Sequence, residues 1–290
     1  MKFRGHETFS IRKGWLNKGL RIVQDNEVVF VDRSSNPMDI FGIGSNMVKS
    51  LRYWLQATGL TEEKKNIRGQ HLTELGKLVL EKDPYLEELG TLWILHYNLA
   101  KGKELSTAWY FFFNQFNLSE FEKGDFSGMI SNWLKLQGME VPIRSVEDDF
   151  NCIINTYLPR YKIAPEKVEP ESNMECPLSE LGLLDNNGPK SKLYHKTTAV
   201  RGTVDPLIAL AMIVDQSGGK KEIPLSVLLN GENSLGRVLN LDMISLMDLL
   251  DTVQQTGTVR LVRTAGLDVL NINTDLTFLD CILSYYENLY

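Results

Sequence analysis

His6 and Glu7 lie close to Arg4 in a polar segment near the N-terminus, and these three residue types can act together on a phosphodiester. Histidine can act as a general base or a metal ligand, glutamate can bind Mg²⁺, and arginine can stabilise phosphate charge. His6 and Glu7 are therefore candidate catalytic residues, with Mg²⁺ as the candidate cofactor and the metal ligands unknown. The alternative is that His6 and Glu7 make structural hydrogen bonds that anchor the N-terminus.

A second acidic pair, Asp148 and Asp149, is another candidate metal site. Consecutive residues of a helix point about 100° apart, so the two carboxylates do not share one direction. A simpler interpretation is that they lie in the first turn of a helix and interact with its dipole. On this view Ser145 and Asp148 form a capping box in front of a helix over Val146–Tyr157.

The sequence predicts one helix most clearly, over Asn46–Thr58, with Ser45 as its N-cap and Gly59 at its end. Its apolar residues recur at helical spacing and form one buried face: Met47, Val48, Leu51, Trp54 and Leu55. The remaining residues are expected to face outward, namely Lys49, Ser50, Arg52, Tyr53 and Gln56. A mixture of hydrogen-bond donors and cations on one face is typical of a helix that reads the major groove of DNA.

The residues after this helix predict a basic hairpin with a turn near Asn66–Gly69, followed by a helix that Thr73 caps. This order is typical of a winged helix-turn-helix, in which Lys64, Lys65 and Arg68 would reach the phosphate backbone. The candidate DNA-binding residues are Arg4, Arg12, Lys13, Asn46, Lys49, Ser50, Arg52, Tyr53, Lys64, Lys65 and Arg68. A solvated surface helix, or a winged helix that binds protein, is the alternative.

Charge is distributed unevenly along the chain. The net charge is −6, yet residues 1–80 hold 13 Lys and Arg against 8 Asp and Glu, while the rest hold 18 against 29. A basic front on an acidic body suits docking onto DNA. Three distant cysteines and four scattered histidines do not form a zinc pattern, and no apolar stretch suggests a membrane span or leader, so we expect a cytoplasmic protein.

The predicted fold is α+β and mainly helical, with winged-helix units near both ends and a helical middle. We expect an N-terminal winged-helix region over residues 1–83, a helical region over 84–162, a linker region over 163–200 and a C-terminal winged-helix-like domain over 201–290. The run Glu27–Val31 predicts a strand. The aromatic run Trp109–Phe113 covers every side of a helix and indicates buried core.

The C-terminal region repeats the order of helices and hairpin. Asp205, Asp242 and Asp275 are the predicted caps of three helices, the second of which covers Met243–Gln255. A hairpin is predicted between the second and third, with its turn at 264–266. Because the second helix exposes acidic residues, a structural or dimerising unit is favoured here over DNA contact. The absence of a Walker lysine motif, a G-x-S-x-G motif and a C-x-x-C pair excludes the commonest enzyme classes.

The chain resembles an SspB-type family associated with bacterial DNA phosphorothioation, the sulfur modification of the DNA backbone. The resemblance is nearly full length and is carried by GHETF with RKGWLNKG, then FGIGSNMVKSLRYWLQATGL, LTELGKLVL, DPYLEELGTLWILHYNLA, TAWYFFFNQF and CPLSELGLL. It implies a DNA-binding subunit that works with a cysteine desulfurase, an ATP pyrophosphatase and an ATPase, and an association with DNA strand nicking.

Three hypotheses follow from the residues and the resemblance together. The protein could be a Mg²⁺-dependent nickase, a non-catalytic subunit that targets DNA, or a winged-helix scaffold that assembles the sulfur-transfer enzymes. A homodimer is compatible with all three.

Overall fold

The computed structural model describes residues 1–32, 34–159, 176–188, 191–264 and 267–289. Within these ranges the chain is mainly helical and contains three small antiparallel sheets, so the predicted α+β, mainly helical class is confirmed. No helix in this part of the chain is long and apolar enough to cross a membrane. Part of the predicted linker region, residues 163–175 with 189 and 190, lies outside the described residues.

The N-terminal region consists of four helices and a short hairpin. The elements are α1 (Trp15–Asp25), α2 (Pro37–Phe41), α3 (Ser45–Ala57), β1 (Thr61–Glu62), β2 (His71–Leu72) and α4 (Glu74–Lys82). The hydroxyl of Thr73 accepts a hydrogen bond from the Gly76 amide, which confirms the predicted cap. Helix α1 packs against α3 and α4, and the predicted apolar stripe of α3 is buried except for the half-buried Met47. The predicted Ser45 cap is wrong, because α3 begins at Ser45 and Gly44 occupies the cap position.

The strand predicted over Glu27–Val31 is wrong. The segment instead forms consecutive turns, in which the Asn26 side chain accepts a hydrogen bond from the Val28 amide and Val31 N–H donates to the Val28 carbonyl. Val29 is fully buried. Local asparagine chemistry therefore overrides the strand preference of the apolar run, since an Asn side chain can take the place of a backbone partner in a turn.

The middle of the chain supplies the largest buried side chains. Its elements are α5 (Leu89–Lys101), α6 (Thr107–Asn114), β3 (Glu120–Phe121), α7 (Lys123–Leu136) and α8 (Ile143–Tyr157). All five residues of Trp109–Phe113 are buried, as predicted. The capping box predicted from Ser145 and Asp148 is wrong, because α8 begins directly after Pro142 and both residues lie inside the helix.

The C-terminal part begins with a 3₁₀ helix (Pro177–Leu181), β4 (Leu184–Asn186) and β5 (Tyr194–Lys196). It continues with α9 (Pro206–Ser217), β6 (Glu222–Pro224), α10 (Leu225–Asn230), α11 (Leu235–Val238), α12 (Met243–Gln254), β7 (Val259–Thr264), β8 (Leu267–Ile272) and α13 (Phe278–Leu289). The sheet orders are β1-β2, β3-β5-β4 and β6-β8-β7. In register, Glu120 pairs with His195, and Leu261 pairs with Leu270.

Two of the three predicted aspartate caps in this region are confirmed. Asp205 accepts from Leu207 N–H and Asp242 from Ser245 N–H. Asp275 does not cap α13, because the helix begins at Phe278, where Thr277 and Asp280 bond to each other's backbone amides. The helices and the hairpin follow one another in the predicted order, and the structure adds the strand β6, which was not predicted. The winged-helix designation stays a prediction for both ends of the chain.

His96 joins three helices inside the core. One ring nitrogen, Nδ1, lies 2.8 Å from the Tyr157 hydroxyl of α8, and Nε2 lies 2.8 Å from the Val238 carbonyl of α11. Since a carbonyl only accepts, Nε2 carries the proton and Nδ1 accepts from Tyr157. Burial lowers the pKa of His96 to about 4, so the ring is neutral at neutral pH.

We predict that His96 makes the protein sensitive to mild acid. The unfolded chain protonates this ring near pH 6.5, above the folded value, so its contribution is complete above about pH 6.5 and is lost as the pH falls toward 4. Protonation of this ring in the unfolded chain lowers the free energy of unfolding by about 2 kcal/mol between pH 7 and pH 5. Urea unfolding at pH 7 and 5 should show this extra loss in the wild type and not in His96→Gln. His195→Gln, which replaces a half-exposed histidine of β5, is the control and should show the same extra loss at pH 5 as the wild type. An equal pH response in the wild type and in His96→Gln would contradict the assignment of this loss to His96.

Candidate nucleic-acid interface

The first ten residues fold back onto the body of the protein through His6. The ring is 0% exposed, with Nε2 located 2.7 Å from Asp149 Oδ1 of α8, and Nδ1 accepting a 3.0 Å hydrogen bond from Thr8 N–H. Since Nδ1 accepts, Nε2 carries the proton and donates to the carboxylate. Both ring nitrogens are therefore occupied, which is the structural anchoring that the alternative interpretation of this segment expected.

Aromatic rings and strained backbone surround this hydrogen bond. The His6 ring stacks on Trp54 at 6.0 Å and meets Tyr53 and Trp109 edge to face. Arg4, Glu7 and Thr8 adopt left-handed backbone angles that are uncommon outside glycine. Gly5 passes so close to Tyr53 that a Cβ atom there would lie 2.4 Å from its ring. The segment is thus held in one conformation by packing from α3, α6 and α8.

Asp149 collects the polar contacts of the segment. Its Oδ1 also accepts a 2.8 Å hydrogen bond from Arg4 N–H, while the Arg4 guanidinium lies 3.0 Å from the neighbouring Asp148. Burial raises the pKa of Asp149, and the hydrogen bonds from His6 and Arg4 act in the opposite direction. The two carboxylates therefore bind different parts of the N-terminal segment, and they do not converge on a shared point.

The residues do not form a ready cage for a divalent cation. Mg²⁺ requires oxygen ligands in octahedral geometry, commonly one or two carboxylates with water. Within the part of the chain that the structure describes, no group of three or more His, Cys, Asp or Glu side chains could hold a metal ion. Glu7, the other candidate catalytic residue, is half-buried beside His6. No reaction step is assigned to a metal here.

The exposed face of α3 is narrower than the sequence predicted. Asn46 and Lys49 are exposed and Arg52 is half-buried, as expected for an outward face. The expectation that Ser50 and Tyr53 face outward is wrong, because Ser50 is 0% exposed and Tyr53 is 4% exposed. Tyr53 is covered by Gly5 and by Lys2, whose ammonium lies 5.2 Å from the ring centre. In this conformation neither side chain is available to a ligand in solution.

Arg52 connects the helix to the hairpin that follows it. Its Nε and Nη2 donate to Glu63 Oε1 at 2.9 and 2.6 Å, and Gln56 donates to the same oxygen at 2.6 Å. The side chain of Gln70 bonds the Arg52 carbonyl and the Thr61 hydroxyl, which fixes the base of the hairpin against α3. The polar face of α3 and the hairpin are therefore adjacent, with Glu63 between them.

The hairpin tip presents Lys64 and Lys65 to solvent next to this contact. Lys64 lies 3.4 Å from Glu62, a separation at which an exposed pair contributes little. Lys65 is also exposed. Arg68 is directed elsewhere, since it donates to the Val31 carbonyl of the 27–31 turns.

The remaining candidate residues lie outside this cluster. Arg4 is drawn toward α8 by Asp148, and the Arg12 guanidinium stacks over the rings of Phe9 and Trp15. Lys13 is exposed in the turn before α1. The structure joins α3 to the hairpin through Arg52 and Glu63 and leaves Asn46, Lys49, Lys64 and Lys65 exposed on these two elements. We call Asn46, Lys49, Arg52, Lys64 and Lys65 the α3–hairpin face. The structure does not join Arg4, Arg12, Lys13 or Arg68 to this face by any hydrogen bond or ion pair within the described residues.

Two contacts of this region were missed by sequence reasoning. The contact of Glu63 with Arg52 spans 11 positions across a turn, and that of Asp149 with His6 spans 143 positions. The first could be anticipated from an acidic residue placed among the hairpin cations. The second has no local signal, because only the packing of α8 against the N-terminus creates it.

The architecture described above is that of a mainly helical α+β protein with a small basic face at one end. The chain belongs to the DUF4007 family, a family of unknown function whose match covers residues 3–286. It is also similar to two SspB crystal structures, one of them magnesium ion-bound, at 27% and 28% sequence identity. In each comparison the TM-score is 0.85, and the match covers 99% of this chain and 88% of the other. The predicted SspB-type membership is confirmed; no curated protein matches the sequence.

We predict that His6→Ala releases the N-terminal segment. Removing one partner of a buried ion-paired or hydrogen-bonded couple costs roughly 3–5 kcal/mol, and urea unfolding should show a loss of this order. Hydrogen exchange of residues 1–10 should rise at the same time. Arg4→Ala is the control, because its guanidinium is half-exposed and should contribute less than about 1 kcal/mol. Equal losses in both variants would contradict an anchoring role for His6.

Proposed function

We propose that the protein is a DNA-binding subunit of a DNA phosphorothioation system. The proposal is supported by the likeness to SspB over almost the whole chain and by the family motifs in the N-terminal region. It assigns DNA contact to the α3–hairpin face. A cysteine desulfurase, an ATP pyrophosphatase and an ATPase are the partners proposed for the sulfur-transfer chemistry.

The observation that carries the proposal is the contact between Arg52 and Glu63. This contact holds the hairpin beside α3, and Lys49 on the helix and Lys64 and Lys65 on the hairpin are exposed. These three lysines are the ones proposed to contact DNA. Cations on a helix and an adjacent wing suit the spacing of a groove and its flanking phosphates. Electrostatic contact with phosphates supplies affinity that does not depend on the DNA sequence, so this face suits non-specific binding to DNA.

The proposal predicts specific changes in the salt dependence of DNA binding. Lys49→Ala or Lys65→Ala should weaken binding to duplex DNA, and each should lower the slope of log affinity against log salt by about 0.9 if one phosphate contact is lost. Fluorescence anisotropy with a labelled duplex over a range of NaCl concentrations measures both quantities. Lys135→Ala, an exposed lysine of α7, is the matched control and should leave the slope unchanged.

Glu63→Gln should act in the opposite direction in the same assay. The substitution removes a negative charge from the face and frees Arg52 for phosphate, so we expect affinity to rise by about three- to tenfold. Glu140→Gln, an exposed position between α7 and α8, controls for the change in net charge. Equal effects at Glu63 and Glu140, or at Lys49 and Lys135, would place DNA contact elsewhere on the molecule.

Strand nicking is the finer part of the proposal. Of the two candidate catalytic residues, Glu7 is the one to substitute, because its side chain is half-buried. His6 is enclosed, and both of its ring nitrogens are hydrogen-bonded. His6→Ala does not discriminate, since it is expected to disturb the fold. Glu7→Gln keeps the size of the side chain and removes its charge.

Conversion of supercoiled plasmid to open circles in the presence of Mg²⁺ tests the nicking proposal. The wild type should nick the plasmid, EDTA should prevent it, and Glu7→Gln should reduce it at least tenfold while the anisotropy assay shows unchanged DNA binding. DNA binding without any nicking would select a non-catalytic targeting subunit. Stable association with the sulfur-transfer enzymes without DNA binding would select a scaffold.

A further inference from the structure

A cavity of about 480 Å³ lies far along the chain from the α3–hairpin face. Its walls come from the start of α5, the 199–206 segment that precedes α9, one side of α12 and the end of α13. Cavities of roughly 300–1,000 Å³ are the size of pockets that enclose small organic ligands. The charged and apolar residues of its walls define what such a ligand would be.

Negative charge is in excess inside this cavity. Four carboxylate residues line it, at Glu87, Glu88, Asp205 and Asp248. The basic residue among the lining is Arg201, which is 82% exposed at its side chain and lies 3.4 Å from Asp248. An exposed pair of this kind is weak, so Arg201 leaves most of the negative charge uncompensated.

Tyr285 is a titratable residue of the cavity wall on which the carboxylates of the cavity act. Its buried hydroxyl accepts a 3.2 Å hydrogen bond from Gly90 N–H and lies 3.5 Å from Glu88 Oε2. Burial raises the pKa of Tyr285 to about 12, and the charges of Glu88 and Asp205 add to the increase. Both carboxylates are therefore close enough to act on a group at the cavity wall, and they would act in the same way on a ligand.

Most of the remaining wall is apolar, with Thr203, Ser245 and Thr252 as its polar members. Leu89, Val200, Leu241 and Leu249 line the cavity, and Val200 is 60% exposed. A hydrated inorganic cation gains nothing from such a surface, because it binds oxygen ligands and water. An alkyl chain gains from burial against it, because apolar surface is removed from water. The wall therefore favours a ligand that is both cationic and partly aliphatic.

We propose that this cavity is a binding site for a small organic cation, an amine or guanidinium carried on an alkyl chain. The charged group binds Asp248 and the neighbouring carboxylates, and the alkyl chain packs against the leucine and valine side chains. Glu88 and Asp205 also have structural partners, at Tyr285 and at the start of α9. Asp248 contacts the exposed Arg201, a weak pair that leaves its charge available to a ligand.

Titration calorimetry on the full-length protein tests the site. The probes are 1,5-diaminopentane, agmatine, the uncharged 1,5-pentanediol and MgCl₂. Saturable heats with the diamine or agmatine, and none with the diol, are expected. Binding of the diol as strongly as the diamine would overturn the charge argument. Binding of Mg²⁺ that the diamine cannot compete with, in the absence of diamine binding, would overturn the proposal of an organic ligand.

Three variants locate the binding. Asp248→Asn should weaken the diamine about tenfold, the size expected when a charge-assisted hydrogen bond is lost. Arg201→Ala should tighten it about threefold, because it removes the competing cation. Asp251→Asn is the matched control, an exposed acid of the same helix that does not line the cavity. Equal weakening by Asp248→Asn and Asp251→Asn would mean diffuse attraction to an acidic protein and would overturn the site, as would wild-type affinity in Asp248→Asn.

Discussion

The buried hydrogen bond from His6 to Asp149 fastens the N-terminal segment across three helices that come from distant parts of the chain. It lies under Tyr53 and Trp54 of α3 and beside Trp109 of α6, with Asp149 supplied by α8. Trp54 adds a second attachment, since its indole N–H donates to the Phe9 carbonyl at 2.9 Å. The position of α3 against the body therefore depends on this contact, and so does the direction in which its outer face points.

This arrangement changes the meaning of the polar N-terminal motif. Polar side chains near a terminus usually face water, yet here the histidine ring is enclosed by aromatic rings and its hydrogen bonds are complete. Leaving a buried polar group without its partner costs more than the bond itself contributes, so the segment is specified by the need to satisfy both groups. The nicking proposal therefore refers to Glu7, the neighbour of His6 that is only half-buried.

Residue periodicity predicted the elements of the proposed interface better than the orientation of their side chains. The apolar stripe of α3 and the caps at Thr73, Asp205 and Asp242 follow from local rules, and the structure has them. Ser50 and Tyr53 were assigned to the outer face because nothing within α3 suggests that another segment covers that side. The N-terminal segment covers Tyr53 through Gly5 and Lys2. It is held there by the His6–Asp149 contact, 143 residues apart in sequence, which no local pattern encodes.

Glu63 has two opposite effects within the proposed DNA face, and both follow from its negative charge. Its carboxylate holds Arg52 and Gln56 in place, and the same charge repels phosphate. A face with only cations would bind any duplex tightly, whereas an acidic residue at its centre lowers general affinity and leaves more of the binding energy to the correct partner or site. The acidic remainder of the chain would act in the same sense, because its net negative charge opposes the approach of DNA. Binding would then depend on a few cations beside Glu63, whose charge lowers their general affinity for DNA.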